Sequence, residues 1–252
     1  MVRIIMNGCN GKMGQVITGI CAKDPEAEIV AGIDISDHIK TNTYPVFKSI
    51  DECDVEADVV IDFSTAAVVD KLLAWCESKK VPVVLCTTGL SEEQIELVNK
   101  TSRNVAILRS ANMSLGINML LKELKKVAAV LAPAGFDIEI VEKHHNQKID
   151  APSGTAIALA DSINEELGNE YEYVYDRSQK REKRSDKEIG LSAVRGGSIV
   201  GEHDVIFAGT DEVITITHTA YSKAIFAKGS VEAAKFLKGQ PAGLYDMSSV
   251  IK

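Results

Sequence analysis

The sequence contains no C-x-x-C pair, no long apolar run and no excess of positive charge. Its five cysteines are scattered, and their odd number fits reduced thiols better than a disulfide framework. No stretch approaches the roughly 20 apolar residues that a membrane helix needs. The apolar run in MVRIIMNG is too short for a signal-peptide core. These absences predict a cytoplasmic protein that does not enter a membrane.

The balance of charge argues against nucleic acid as a partner. The formal net charge is −8, so a broad nucleic-acid-binding surface is not expected. The dense basic stretch RSQKREKRS, from Arg177 to Ser185, is flanked by acidic residues and is predicted to be a solvated loop. Hydrophobic residues make up 45% of the 252 residues, enough for a core in one large or two modest domains.

The first third of the chain alternates between β-rich runs and helical patterns. The runs are apolar without strict alternation, which is typical of strands buried on both faces. They are VRIIMNG, AEIVAGID, ADVVIDFS, VPVVLCTTG and NVAILRSAN. The sequence therefore predicts an N-terminal α/β domain with a Rossmann-type, doubly wound parallel sheet.

After Asn112 the pattern changes. GFDIEIVEKHH alternates like a strand, and a helix is expected to start at Pro152 and Ser153, since both residues are favoured at helix N-termini. The other predicted elements are a long amphipathic helix in MSLGINMLLKELKKVAAVL, a hairpin of SIVGEHDVIFAG with DEVITITHTA, and a final helix in SKAIFAKGSVEAAKFLKG. We expect a C-terminal α+β domain with a mixed sheet.

The first predicted strand runs into a glycine-rich turn, NGCNGKMG. Gly8 and Gly11 match the last two glycines of the dinucleotide fingerprint G-x-G-x-x-G, whereas Met6 occupies the first position. A turn of this kind brings backbone N–H groups to a helix N-terminus, where they bind a pyrophosphate. Asp34 closes the second run, where an acid bonds a ribose hydroxyl. The alternative is a structural turn with an incidental aspartate.

The cofactor predicted from this turn is NADH. The carboxylate of Asp34 would repel the 2′-phosphate of NADPH, and no arginine follows it. Lys12 in the turn could still reach that phosphate, so NADPH stays the alternative.

Titratable groups are concentrated in EKHHNQKIDAPSGTA, Glu142 to Ala156. Histidine exchanges a proton near neutral pH, and Lys148 supplies a positive charge for a carboxylate. The N–H groups of Ser153, Gly154 and Thr155 begin a helix and would hold a second carboxylate. The stretch predicts acid–base chemistry on a small dicarboxylate. The alternatives are a solvated strand end and a metal site, and no metal is expected because His144 and His145 point to opposite faces of a strand.

Four segments together resemble the dihydrodipicolinate reductase family. They are GCNGKMG, CTTGL, EKHHNQKIDAPSGTA and RGGSIVGEHDVIF, and the resemblance covers essentially the whole chain. It implies NAD(P)H-dependent reduction of a cyclic dicarboxylate to tetrahydrodipicolinate in lysine and diaminopimelate synthesis. Two other functions stay open: an aspartate- or homoserine-type dehydrogenase, and a dinucleotide-sensing regulator.

The resemblance also implies roles for single residues. His144 matches the proton donor and Lys148 the catalytic, substrate-orienting lysine. Cys86 and Met113 stand where glycine and an aromatic residue are common. The substrate-contacting positions are His145, Gly154 and Thr155. The cofactor-binding positions are Gly8, Cys9, Asn10, Gly11, Lys12, Met13, Asp34, Cys86, Thr87, Thr88, Ser110, Ala111, Asn112 and Met113.

The family's architecture gives a further expectation. Its members form homotetramers through the sheet of the second domain, and their last helix returns to the cofactor domain. The resemblance therefore implies a dinucleotide-binding domain of residues 1–114 and 222–252. It assigns residues 115–221 to substrate binding and oligomerisation.

Overall fold

The computed structural model describes residues 1–36 and 42–251. The chain divides into two compact units. The first unit comprises Met1–Leu115 and Ala224–Lys252, and the second comprises Gly116–Lys223.

The first unit begins with strands and helices in near-regular alternation. In chain order they are β1 (Val2–Asn7), α1 (Lys12–Cys21), β2 (Ala27–Ile33), β3 (Val46–Phe47), β4 (Val59–Asp62), α2 (Val69–Lys79), β5 (Val83–Leu85), α3 (Glu92–Thr101) and β6 (Ala106–Leu108). Helix α3 starts with a capping box in which the side chains of Ser91 and Gln94 each bond the other's backbone N–H.

The second unit follows with longer strands. Its elements are α4 (Leu115–Leu131, with Leu115 at the boundary), β7 (Asp137–His144), α5 (Gly154–Glu166), β8 (Glu172–Tyr175), β9 (Glu188–Arg195), β10 (Gly201–Ala208) and β11 (Val213–Ala220). The chain then returns to the first unit as α6 (Ala224–Leu237), β12 (Gly243–Tyr245) and α7 (Met247–Val250).

The first unit contains the predicted parallel sheet. Its strand order is β12-β6-β5-β4-β1-β2-β3, and every pair is parallel. Ile4 of β1 lies in the cluster that includes residues of α1 and α6, whereas its neighbour Ile5 lies in the cluster that includes residues of α2 and α3. Helices therefore cover both faces, which confirms the doubly wound arrangement. Trp75 is a buried member of the second cluster.

The second unit contains a mixed sheet, as predicted. Its order is β11-β10-β7-β9-β8, with β10 antiparallel to β7 and β11, and β9 parallel to β7 and β8. The predicted hairpin is β10–β11. Buried and half-buried residues alternate along β7, and the buried Ile138 and Ile140 pack with α4 and α5.

The start of α5 differs from the prediction. The helix begins at Gly154, with Ser153 as the N-cap and Pro152 outside it. The reason is that the Ser153 hydroxyl accepts a hydrogen bond from the N–H of Ala156 at 3.1 Å, which fixes Ser153 in the extended conformation of a cap. Among the described residues, no helix is both long and apolar enough to cross a bilayer.

Candidate active site

The glycine-rich turn joins β1 to α1 and has no room for a side chain at Gly8 or Gly14. Gly8 has a φ of +84°, and a Cβ there would lie 2.4 Å from the carbonyl oxygen of Phe63. A Cβ on Gly14 would lie 2.3 Å from the carbonyl oxygen of Gly8. Helix α1 begins directly after Gly11, its N-cap. This cradle at a helix N-terminus fits a pyrophosphate held by backbone N–H groups.

Asp34 lies directly after β2 and contacts the same turn. Its carboxylate accepts hydrogen bonds from the backbone N–H of Asn10 and of Ser36, each at 2.9 Å. Gly8 also donates its N–H to the carbonyl of Ile33, at 2.8 Å. The structure therefore brings the predicted ribose acid and the glycine turn together.

A cavity of about 430 Å³ opens beside the turn. Its lining includes Gly8, Gly11 and Asp34, and also Lys48 and Lys71 from later segments of the chain. Strand order reverses between β1 and β4, and in doubly wound folds ligands bind at such a switch point. The cavity therefore lies where a doubly wound fold binds a nucleotide.

The other predicted cofactor residues lie after β5 and β6, at the same sheet edge. Cys86, Thr87 and Thr88 follow β5, and Ser110 to Met113 follow β6. Burial raises the pKa of Cys86 well above its ordinary value, so its thiol stays protonated. Lys12 and Met13 form the first turn of α1. Cys9 is buried below the turn.

Asp62, which was not predicted as a site residue, is a fully buried carboxylate at the end of β4. It accepts hydrogen bonds from the Asn7 amide at 2.8 Å, the Ser64 hydroxyl at 2.5 Å and the Thr87 hydroxyl at 2.6 Å. Burial raises its pKa although these three donors oppose the shift. Asp62 thus joins the ends of β1, β4 and the segment after β5.

In the second unit, His144 ends β7 and is buried. Its Nδ1 donates to Oε2 of Glu142 at 2.6 Å. Glu142 lies two residues earlier on the same strand, so both side chains are on one face. A donated Nδ1–H leaves Nε2 as the nitrogen that can exchange a proton with a substrate.

Arg195, at the end of β9, makes a two-pronged ion pair with Glu142, at 2.7 and 2.5 Å. It also donates to the carbonyl of Asp150, at 2.7 Å, in the loop that carries Lys148. Lys148 pairs with the carboxylate of Asp150 at 2.8 Å, and the Lys148 hydrogen bond lowers the pKa of Asp150. Two predicted residues, His144 and Lys148, therefore belong to one connected network.

The N-terminus of α5 joins this network through Ser153. Its N–H donates to Oε1 of Glu142 at 2.9 Å, so it does not bind a substrate carboxylate as we expected. Gly154 and Thr155 occupy the first turn of α5 beyond it. The ring of His145 is half-buried, and its Nδ1 has no hydrogen-bond partner in the part of the chain that the structure describes.

His203 lies on β10 opposite Glu142. Its Nε2 is 2.9 Å from the Ser153 hydroxyl, and its ring packs edge-on against His144 at 5.1 Å. Burial, with the nearby His144, lowers the pKa of His203 to about 4, so it is neutral at physiological pH. A neutral His203 adds no second positive charge beside the candidate proton donor.

The missed residues differ in how visible they are in sequence. Glu142 could have been found, since it precedes His144 by two positions on an alternating strand. Arg195 could not, because its contact with Glu142 spans 53 residues and depends on the pairing of β7 with β9.

The doubly wound sheet, its glycine turn and the separate histidine–lysine site define a dinucleotide-dependent reductase. Family models described as dihydrodipicolinate reductase, N-terminus and C-terminus, match residues 2–113 and 116–251. The chain belongs to the dihydrodipicolinate reductase family.

Individual relatives agree with this assignment. The 4-hydroxy-tetrahydrodipicolinate reductase of Caldanaerobacter subterraneus subsp. tengcongensis is 53% identical, over all of this chain and 99% of the relative. That of Clostridium tetani is 51% identical, over all of this chain and 97% of the relative. A dipicolinate-bound dihydrodipicolinate reductase from Paenisporosarcina sp. TG-14 has a similar fold, with a TM-score of 0.81, 24% identity and full coverage of both chains. These matches support the reductase over the dehydrogenase and sensor alternatives.

Proposed function

We propose that this chain is a 4-hydroxy-tetrahydrodipicolinate reductase. It reduces a dihydrodipicolinate-type cyclic dicarboxylate to tetrahydrodipicolinate with NAD(P)H, in lysine and diaminopimelate biosynthesis. The observation that carries the proposal is the network of His144, Lys148 and the α5 N-terminus, in a chain about half identical to reductases over its full length.

We propose the first unit as the cofactor-binding part, with residues 1–114 and 222–252 forming that domain. The glycine turn would hold the pyrophosphate, and Asp34 the ribose of the adenosine. NADH is the proposed preferred cofactor, because the Asp34 carboxylate contacts the turn directly and would repel a 2′-phosphate. The segments Cys86–Thr88 and Ser110–Met113 would line the nicotinamide.

Residues 115–221 would bind the substrate. Lys148 would exchange its partner Asp150 for one substrate carboxylate, a change of small cost because Asp150 is exposed to water and a water-exposed carboxylate gains little from its ion pair. The N–H groups of Gly154 and Thr155 would hold the other carboxylate at the helix N-terminus, and His145 would contact the substrate.

The proposed chemistry separates hydride and proton transfer. The reduced nicotinamide, when bound, supplies the hydride. Hydride addition to the conjugated ring leaves an enamine, and His144 would give its proton to the enamine carbon. Lys148 and the α5 N-terminus would keep both carboxylates fixed during the transfer, so that the ring carbon stays within reach of His144.

Two wider proposals concern the setting of the enzyme. The five cysteines are free thiols, in keeping with a cytoplasmic enzyme.

A homotetramer would form through the face of the mixed sheet that is turned away from α4 and α5. That face carries the ion pair of Lys143 with Asp204, at 2.9 Å, and the Thr217 hydroxyl, which donates to Asp204 at 2.6 Å. Light scattering on the purified chain tests the tetramer.

Complementation tests the proposed function in a cell. A bacterium that lacks its own reductase requires diaminopimelate in the medium. We expect this chain to remove that requirement, and His144→Ala at an equal protein level to leave it in place. Continued dependence on diaminopimelate with abundant, folded wild-type protein would contradict the proposal.

A further inference from the structure

The carboxylate of Glu142 is unusual in its number of partners. It is buried, and each of its oxygens accepts two hydrogen bonds. Oε1 accepts from the Ser153 N–H at 2.9 Å and from Arg195 at 2.5 Å. Oε2 accepts from His144 at 2.6 Å and from Arg195 at 2.7 Å. One side chain therefore joins the candidate proton donor, strand β9 and the N-terminus of α5.

The ionised state of Glu142 is maintained by its neighbours. Burial alone would raise its pKa, but hydrogen bonds from Arg195, His144 and Ser153 bring the pKa below its ordinary value. An ionised carboxylate can only accept hydrogen bonds, so Nδ1 of His144 must carry a hydrogen. This determines the tautomer of the neutral ring.

The opposite nitrogen of His144 has space beside it. An ideal Cβ built on Gly201 of β10 would lie 3.1 Å from Nε2 and 3.4 Å from Cδ2. Any side chain at position 201 would therefore press against the nitrogen that faces away from Glu142. The ring is held at Nδ1 and left uncrowded at Nε2.

We infer that Glu142 and Arg195 are positioning residues: they fix the tautomer and orientation of His144 and hold it at a set place relative to the first turn of α5. The inference rests on the proposed function in taking His144 as the proton donor. A carboxylate that orients a histidine and stabilises its protonated form is a general device of acid–base catalysis. Here the same carboxylate would also align the anion-binding helix end through Ser153.

Several other ionisable groups lie in the elements around His144. Beside Glu142 and Arg195, they are His203 on β10, His218 on β11, and Lys148 with Asp150 in the loop after β7. His203 is neutral, since its pKa is about 4. Glu142 is thus the carboxylate in direct contact with the His144 ring.

Glu142→Gln tests the inference, because it keeps the shape and removes the charge. We expect kcat to fall about 10-fold or more, part of the 10²–10⁴-fold contribution of a general acid. Substrate KM should change little, because the amide oxygen of Gln can still accept from the Ser153 N–H. The alkaline limb of the pH–rate profile should move to lower pH, since the protonated ring loses its carboxylate. The neutral Nδ1–H tautomer of His144 should lose population in ¹⁵N NMR spectra, assigned with His144→Asn.

Glu188→Gln is the matched control. Glu188 is also a buried carboxylate paired with an arginine, Arg177, but it lies at the opposite end of β9 from Arg195. The Glu188→Gln variant should be less stable than the wild type, but its pH–rate profile and the tautomer of its His144 should be unchanged. If Glu142→Gln fails to fold, Glu142→Asp replaces it, with the charge kept but withdrawn by one methylene, and a smaller loss of kcat is expected.

The outcomes separate the inference from the proposed function. The positioning role would be overturned if the His144 tautomer and the alkaline limb of the pH–rate profile were unchanged in the Glu142 variant. It would also be overturned if the Glu188 variant changed both equally. If the wild-type chain does not reduce the dicarboxylate, the proposed function fails. The NMR measurement still decides whether Glu142 fixes the His144 ring, because it needs no substrate.

Discussion

The backbone N–H of Asn10 donates a hydrogen bond to the carboxylate of Asp34 at 2.9 Å, which joins the glycine turn to the end of β2. The acid is therefore fixed at the mouth of the proposed pyrophosphate cradle. A negative charge at this point is favourable for a ribose diol and unfavourable for a 2′-phosphate.

Asp34→Asn should weaken the proposed preference for NADH. The substitution keeps the shape and removes the repulsion of the 2′-phosphate, so we expect the ratio of kcat/KM for NADH over NADPH to fall about 10-fold, equivalent to about 1.4 kcal/mol. Steady-state kinetics with both cofactors measures the ratio. Asp24→Asn, which removes an acid paired with Lys235, is the control. An unchanged ratio in Asp34→Asn would remove Asp34 from cofactor selection.

Gly14→Ala should damage the turn, whereas Gly19→Ala in the same helix should not. A Cβ on Gly14 meets the carbonyl oxygen of Gly8 at 2.3 Å, but a Cβ on Gly19 meets nothing within 4 Å. We expect the first change to cost about 1–3 kcal/mol of unfolding free energy and to weaken NADH binding. The second should gain up to about 1 kcal/mol. Denaturant unfolding and cofactor titration measure both, and equal effects would contradict the close-packed turn.

Asp62→Asn should change how stability depends on pH. Burial raises the pKa of Asp62 in the folded state, so the folded chain keeps a proton that the unfolded chain releases. Its contribution is present below the ordinary pKa of about 4 and is lost as pH rises through the folded pKa. The wild-type free energy of unfolding, relative to Asp62→Asn, should therefore decrease from acidic to neutral pH. An increase would contradict the raised pKa.

Asp62→Ala is the severe counterpart of that change. It leaves three donors, on Asn7, Ser64 and Thr87, without their acceptor. We expect a loss of about 3 kcal/mol or more, because each unsatisfied buried donor costs about 1–3 kcal/mol. In Asp62→Asn the amide oxygen can serve Asn7 and Ser64, and the Thr87 hydroxyl can rotate to accept. Denaturant unfolding should rank the two variants in this order, and the reverse order would contradict the network.

His144→Ala should lower kcat by about 10²–10⁴-fold with little change in cofactor affinity. The reason is that the ring would supply a proton to the substrate but lies in the unit that does not carry the glycine turn. His218 packs against His203, which in turn packs against His144. His218→Ala should keep nearly full activity. Turnover close to wild type in His144→Ala would exclude this histidine as the proton donor.

Lys148→Ala should act mainly on the substrate. Loss of a charge-assisted bond of about 1.5–3 kcal/mol predicts a rise in substrate KM of about 10–100-fold. Stability should change by about 1 kcal/mol or less, since Lys148 is only half-buried and its partner Asp150 is exposed. Lys125→Ala, on α4, removes a lysine paired with Glu165 and controls for loss of charge. A substrate KM within twofold of wild type in Lys148→Ala would contradict a carboxylate-binding role.

Most of the architecture could be predicted from local patterns. Continuous apolar runs predicted the parallel sheet, and alternation predicted β7. Strands β3 and β12 were not predicted, because two or three residues are too few to show a period. Strand β9 was also missed, since EIGLSAVR changes from buried to exposed residues along its length.

The site was predicted less completely than the fold. His144 and Lys148 stand in one short stretch with recognisable chemistry, so sequence alone suggested them. Other residues of the same network come from distant parts of the chain. Arg195 meets Glu142 only because β9 pairs with β7, and His203 because β10 does. Such contacts have no local sequence signal.

The most direct test of the account is a reductase assay on the purified chain. The substrate is made in place by the preceding synthase from pyruvate and aspartate semialdehyde, and oxidation of NADH or NADPH is followed by absorbance. We expect rapid oxidation that depends on the synthase product and is faster with NADH. No oxidation with either cofactor, from folded protein that still binds dinucleotide, would contradict the reductase function.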